Sequence, residues 1–428
     1  MNLLDEILKN EVYPALGCTE PISVAYACAE ASRIIKKIDF KTLKVVVNMD
    51  PGTYKNGYGV NLPNLNGEKG NMIAAALGVV IKKPELKYKI FSEADKESLK
   101  LAKRLLTEKR ILLNVDYTKK EIYVEAIISD KNNTASCILN RAHFDVSFMS
   151  LNGKIIKSKN VIKEKQSDYK EIIKNLSLKE LVSLANSANR RQLGYIETGI
   201  EMNLKASDEG LKLKKIGYNL KNMIARGLCN DINNEAKYIT SAATDARMGG
   251  MACPIMSSGQ SGNQGVVAIL VPYIYGKRNR IDDTRVLKSI ALAHIINSYI
   301  KSYTGELAPV CGCAISSGAG ASAAVVYQTY PDDIEKIGGA VNNVLADIGG
   351  MICDGAKESC SLKVISSVDC ALRSAFLSIN GLRVESSNGF IGKTAEETIK
   401  NVARLSIIGM SSVDSIIIET MKNKDIYF

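Results

Sequence analysis

The chain has 428 residues, 46% of them hydrophobic and 24% charged, which excludes a disordered chain and allows two or three domains of about 150 residues. Lysine and arginine exceed aspartate and glutamate by 56 − 45 = 11, but the excess is spread over lysine-rich segments such as Lys100–Lys109 and Lys154–Lys174. No arginine-rich block with interleaved aromatics occurs, so nucleic acid is set aside as a partner while an anionic small substrate stays compatible with the charge.

The N-terminus, MNLLDEILKNEVYP, lacks the basic region of a signal peptide. No apolar run reaches the ~18 residues of a membrane span, and the longest, around 266–275, contains Pro272. A cytoplasmic protein without a membrane partner is expected. Residues 2–10 and 18–37 read as helices around a break at Pro14 and Gly17, with Val24, Ala27, Cys28 and Ala31 on one stripe. LKVVVNMD (43–50) is a buried-strand pattern and YKIFSEA (88–94) a shorter one. The helical GNMIAAALGVVIKK (70–83) lies between them, and the amphipathic helix 96–110 follows. Segments 111–117, 121–130 and 134–154 alternate like an antiparallel meander that ends in a turn at Asn152-Gly153. The lysine-rich segment 154–174 reads as a polar connector. Beyond it, 178–190, 286–302, 332–353 and 395–424 carry apolar residues at helical spacing. The expectation is an α+β protein. A mainly helical catalytic domain is made of N-terminal helices (1–37) and residues 172–428, and an α+β domain with a mostly antiparallel sheet is inserted at 38–171.

Ten cysteines but only two histidines leave histidine-based zinc hydrolysis and Ser-His-Asp chemistry short of parts. Without a secretory signal the cysteines are expected to be reduced thiols. PVCGCAISSGAG supplies Cys311 and Cys313, and GGMICDGAKESC supplies Cys353 and Cys360. Thiolates in glycine-rich turns suit zinc or an iron–sulfur cluster, and the spacing alone leaves small buried hydrophobes as a third reading. SSGQSGNQG (257–265) combines side-chain hydroxyls and amides with glycine N–H groups, a nest for carboxylate or phosphate, or simply a loop or helix cap. Neither a Walker loop nor a dinucleotide fingerprint is present. In GCTEP (17–21), Cys18 at a helix start is expected to have a lowered pKa and to act as base, nucleophile or ligand; a plain N-cap by Thr19 competes.

With GCTEP, SSGQSGNQG, PVCGC and MICDGAKESC in this order, the chain resembles the L-cysteine desulfidase family, oxygen-sensitive iron–sulfur relatives of the α-chain of bacterial L-serine dehydratase. The desulfidase likeness covers essentially the whole chain. The serine dehydratase likeness is confined to the helical second half, clearest at Gly312-Cys313 and Cys353. The resemblance implies one [4Fe–4S] cluster held by Cys313, Cys353 and Cys360 with one iron open, Cys311 being left out. It also implies conversion of L-cysteine and water to hydrogen sulfide, ammonia and pyruvate without pyridoxal phosphate. Cys18 matches a cysteine the family needs for activity and is assigned as base. Ser258, Ser261 and Asn263, with the N–H groups of Gly259 and Gly262, are candidates for the substrate carboxylate. Lys55 and Asn56, in the turn TYKNGYG, either close over the site or belong to an ordinary surface turn. Arg247 faces the carboxylate, the cluster or a structural ion-pair partner. The rivals are an iron–sulfur L-serine dehydratase, a non-catalytic zinc or redox protein, and a pyridoxal-phosphate lyase using Lys357. A homodimer is the ordinary expectation.

Overall fold

The computed structural model describes residues 2–424 except 66, 120, 160–168, 229–230 and 306, so Cys229 and part of the expected connector lie outside the described residues. The chain opens with α1 (Leu3–Glu11), a short strand β1 (Pro14–Ala15) and α2 (Thr19–Arg33). It continues through β2 (Lys44–Met49), α3 (Pro51–Gly57), α4 (Gly70–Ile81), a 3-10 stretch (Pro84–Glu93) and α5 (Lys96–Thr107). The strands β3 (Ile111–Val115), β4 (Tyr123–Ser129), β5 (Thr134–Asn140), β6 (Val146–Leu151) and β7 (Lys154–Ser158) follow. The sheet order is β3-β2-β4-β5-β6-β7. Strict alternation builds its inner face: Val45, Val47 and Met49, then Val124, Ala126 and Ile128, then Ala135, Cys137 and Leu139 are buried, and α2 and α4 cover them.

All pairings are antiparallel except β2 with β3, which run parallel with Val45 opposite Ile111. The helices between these two strands form the crossover that a parallel pair needs, which separates β3 from the simple meander expected. The segment 88–94 is not a strand. Ile90 and Phe91 are adjacent and both buried, whereas a strand would send them to opposite faces. The first part of the lysine-rich connector is the edge strand β7, whose exposed lysines discourage pairing with another chain.

The rest is helical: α6 (Tyr169–Lys174), α7 (Leu178–Asn186), α8 (Arg190–Leu211), α9 (Ile216–Ala225) and α10 (Ile232–Met248) precede a two-residue strand, β8 (Ile255–Met256). After it come α11 (Gly262–Arg278), α12 (Asp283–Thr304), α13 (Ile315–Thr329), α14 (Ile334–Ile348), α15 (Cys360–Ile379), α16 (Ala395–Arg404) and α17 (Val413–Lys422). Buried along almost its whole length, α13 is the centre of this body. Its small residues admit neighbours closely; a Cβ at Gly320 would lie 2.6 Å from the Ala293 carbonyl oxygen on α12.

The hydrophobic residues separate into two main cores. Leu4, Ile7 and Leu8 of α1 join the helical one, whereas α2, grouped with α1 in the sequence reading, packs on the sheet. The expected single helix over 395–424 is divided by a π turn (Leu405–Gly409) and bends by 50°. Beyond the bend α17 crosses to the sheet layer, where Ile418 is buried and Met421 O accepts from Tyr58 Oη at 2.7 Å. Among the described residues, no single helix is long and apolar enough to cross a membrane.

Candidate active site between the two cores

Two short pairings assemble the site. Strand β1 pairs with β8, Pro14 opposite Met256, and brings GCTEP beside SSGQSGNQG. A bridge between Val310 and Ile352, flanked by Cys311 N–H to Met351 O (2.8 Å) and Cys353 N–H to Pro309 O (2.6 Å), brings the two cysteine motifs together. Cys18, Cys311, Cys313, Cys353 and Cys360 consequently line one inner chamber of about 80 Å³. An outer chamber of about 100 Å³ shares Cys311, Cys313 and Cys353 with it and has both polar walls, with Glu20, Lys55, Asn56, His143 and Gln264, and apolar ones, with Ile122, Leu307 and Val310.

Four helices start at these chambers: α2, α11, α13 and α15. Their N-cap positions, Cys18, Ser261, Ala314 and Ser359, make no side-chain capping hydrogen bond. Most helices that start elsewhere are capped in the ordinary way, by Asn2, Asp95, Ser177, Asn189, Asp231, Asp282, Asp333 and Thr394, although α4, α9 and α17 also lack a side-chain cap. The N–H groups of residues 314–317 at the start of α13 bond the Cys311 and Gly312 carbonyl oxygens, and those of residues 360–362 at the start of α15 bond the preceding turn, but the positive ends of all four helix dipoles face the chambers, an arrangement suited to anions. Arg247 adds a full charge. It is 5% exposed, lines the inner chamber, has no partner for its Nε and makes no ion pair among the described residues. The structural ion pair considered for it is therefore not formed there.

An iron–sulfur cluster with thiolate ligands is an anion, and thiols surrounding a small space beneath uncapped helices and a buried guanidinium fit it. Among the described residues no three His, Cys, Asp or Glu side chains converge as one metal ion requires. Hydrogen bonding to Cys311 and then burial push the Cys353 thiol well up, and burial raises Cys360. Metal loading would release these protons.

Cys18 differs from its expected state. Its thiol donates to Glu20 Oε2 at 2.8 Å. Burial first, then the Glu20 charge, push it well above the ordinary thiol range, and Arg247 offsets this only in part. Desolvation outweighs the helix end, so Cys18 is a protonated thiol and not a thiolate. Burial also acts on Glu20, but the His143 ring, hydrogen bonds from Cys18 and Asn56, and Arg247 together hold it below the usual carboxylate range.

The other expected residues divide. Ser261 lines both chambers, with Oγ 3.8 Å from Cys313 Sγ. Asn263 lines the inner chamber with Oδ1 unpartnered. Gly262 fits under Arg247, whose Nε would lie 2.5 Å from a Cβ there. Ser258 does not reach the walls; fully buried, it bonds His294 Nδ1 and Asn297 Nδ2, each at 2.8 Å, and so supports the loop from behind. Gly259 turns this loop at φ +52°, packed against Lys301. Lys55 and Asn56 belong to α3 and not to a surface turn. Lys55 is buried against Asp414 at 2.6 Å, and Asn56 Nδ2 donates to Glu20 Oε1 at 2.9 Å. Lys357 pairs with Asp354. Sequence reasoning missed Glu20 and His143. Glu20 stood inside GCTEP, two residues from Cys18, but His143 comes from the β5–β6 turn and carries no spacing signal.

The family model of the serine dehydratase alpha chain matches residues 88–419. That span includes every chamber cysteine except Cys18 and leaves out α2 and α3. A UPF0597 protein of Elusimicrobium minutum is 47% identical, covering 99% of this chain and 100% of the relative. Others, from Geobacter sulfurreducens (41%, covering 99% of both chains) and Clostridium tetani (37%, covering 99% and 98%), carry the same name, which states no substrate.

Proposed function

The chain belongs to the serine dehydratase alpha chain family, and on that premise we propose that it is an L-cysteine desulfidase, converting L-cysteine and water to hydrogen sulfide, ammonia and pyruvate without pyridoxal phosphate. The family depends in general on iron–sulfur chemistry. The observation that carries the reading is the inner chamber itself, five thiols beneath four helix starts without side-chain caps, beside a second chamber that carries Glu20, Lys55, Asn56 and His143.

Cys313, Cys353 and Cys360 are the proposed ligands of a [4Fe–4S] cluster; Cys311, the most buried of the four, is left out. When bound, such a cluster with one iron free of protein thiolate supplies a Lewis acid for the leaving sulfur. The chain's own residues do the rest. Ser261, Arg247 and the N–H groups at the start of α11 hold the substrate carboxylate, which fixes the direction of the Cα–H bond. That bond is turned toward the Cys18–Glu20 pair, where the proton leaves. Both groups are buried, so bulk water does not compete for the proton. The protein is proposed to work in the cytoplasm as a homodimer, without a nucleic-acid or membrane partner.

L-Serine at the same site is the second reading, favoured by the family's own description. Protein purified without oxygen is to be assayed with both amino acids. Pyruvate with equal sulfide, and a higher kcat/KM for L-cysteine, supports the desulfidase; a higher value for L-serine replaces it with a dehydratase, and no pyruvate from either rejects both.

A further inference from the structure

The two members of the Cys18–Glu20 pair face different spaces. Cys18 lines only the inner chamber, among the other thiols, whereas Glu20 lines both chambers. Glu20 is 7% exposed and forms no ion pair among the described residues. Its Oε2 accepts from Cys18 Sγ at 2.8 Å and from Thr19 Oγ1 at 3.2 Å, and its Oε1 accepts from Asn56 Nδ2 at 2.9 Å. A carboxylate offers about four lone-pair sites, so three donors fix its orientation and leave one site, on Oε1, for an incoming proton.

We propose that Glu20 is the group that removes the Cα proton of the substrate, and that Cys18 is the donor that holds Glu20 in place. This rests on the elimination reading above. The Cα–H bond breaks and its proton goes to Glu20 Oε1. The bonding pair becomes the Cα=Cβ bond, and the Cβ–S bond breaks with its electrons on sulfur. Glu20 returns the proton to the departing hydrosulfide. Aminoacrylate, in its imine form, is hydrolysed by water to pyruvate and ammonia, and nothing is oxidised or reduced.

Electrostatics give the test a sign. The negative charge of Glu20 disfavours the Cys18 thiolate, while Arg247 on α10 favours it; His143 and Asp50 also face Glu20. Removing that charge eases ionisation of Cys18. If Cys18 alone were the base, Glu20→Gln would be as fast as the wild type or faster. If Glu20 is the base, it must be slower.

Wild type, Glu20→Gln, Glu20→Asp and Cys18→Ser, each purified without oxygen, are to be compared by four readouts. These are iron content, the absorbance change on adding L-cysteine, pyruvate formation, and deuterium uptake at Cα of recovered L-cysteine in D2O. Glu20→Gln should keep its iron and the absorbance change, while turnover and exchange fall about 10²–10⁴-fold. Glu20→Asp should recover part of this, and Cys18→Ser, which keeps a donor, should lose less than about tenfold. Turnover of Glu20→Gln within about threefold of wild type, or exchange abolished in Cys18→Ser alone, makes Cys18 the base and overturns the proposal. Loss of iron in Glu20→Gln overturns it as well, in favour of structural support. Wild type with full iron but no product rejects the elimination reading itself, an outcome distinct from a defect confined to Glu20→Gln.

Discussion

His294 shows how a residue outside the chambers shapes them. It is fully buried, its Nδ1 bonds Ser258, and Ser258 in turn fixes the loop that ends at Ser261 and Gly262. Burial holds its pKa down to about 3, against an ordinary 6.5. The folded protein keeps the ring neutral, whereas the unfolded chain protonates it below its ordinary pKa. The unfolded state thus binds more protons between those two values, and stability present above pH 6.5 is lost as pH falls toward 3, by an amount on the order of a few kcal/mol. His294→Gln keeps a polar partner for Ser258 and removes the titration. Urea unfolding at pH 7 and pH 5 should show a smaller difference in this variant than in the wild type; an equal difference would place the acid sensitivity in another group. Cys18 carries the same lesson for a thiol, since a helix start predicts thiolate and burial beside Glu20 reverses it.

Helices build the site with their N-terminal ends. The starts of α2, α11, α13 and α15 lack the side-chain caps found on most other helices and point the positive ends of their dipoles at the chambers, while backbone carbonyls take up the first N–H groups of α13 and α15. Gly262→Ala tests the start of α11. Its new Cβ would lie 2.5 Å from Arg247 Nε and must displace the guanidinium. Iron should be retained while KM for the amino acid rises about tenfold or more, the size of a lost charged hydrogen bond; an unchanged KM would remove Arg247 from carboxylate binding. Much at this scale is readable from sequence. An apolar run marks β2, alternation marks β4 and β5, apolar residues at helical spacing mark α12 and α14, and residues of all four motifs line one space. What is not readable depends on packing. Adjacent Ile90 and Phe91 imitate a strand, the π turn after α16 has no proline to announce it, and parallel β3 follows from the crossover before it. The surroundings of Glu20 come from Cys18, Asn56, Arg247 and the distant His143, which only the fold brings together.

The site lies where the two main cores meet. The helical body contributes Cys313, Cys353, Cys360 and Arg247, and the sheet layer contributes Glu20, Lys55 and Asn56. Helix α17 fastens the two together, through Asp414 to the buried Lys55 and through Ile418 in the sheet-side core. The span matched by the serine dehydratase alpha chain includes the proposed cluster ligands and stops short of Cys18 and Glu20 at the start of α2 and of Asn56 on α3. The central claim is that the thiol chamber holds an iron–sulfur cluster, and the most direct measurement is iron and acid-labile sulfide per chain in protein purified without oxygen. About four of each are expected in wild type and in Cys311→Ala, with both lost in Cys353→Ala. Stoichiometric zinc, or no metal at all, in wild type never exposed to air would contradict the account.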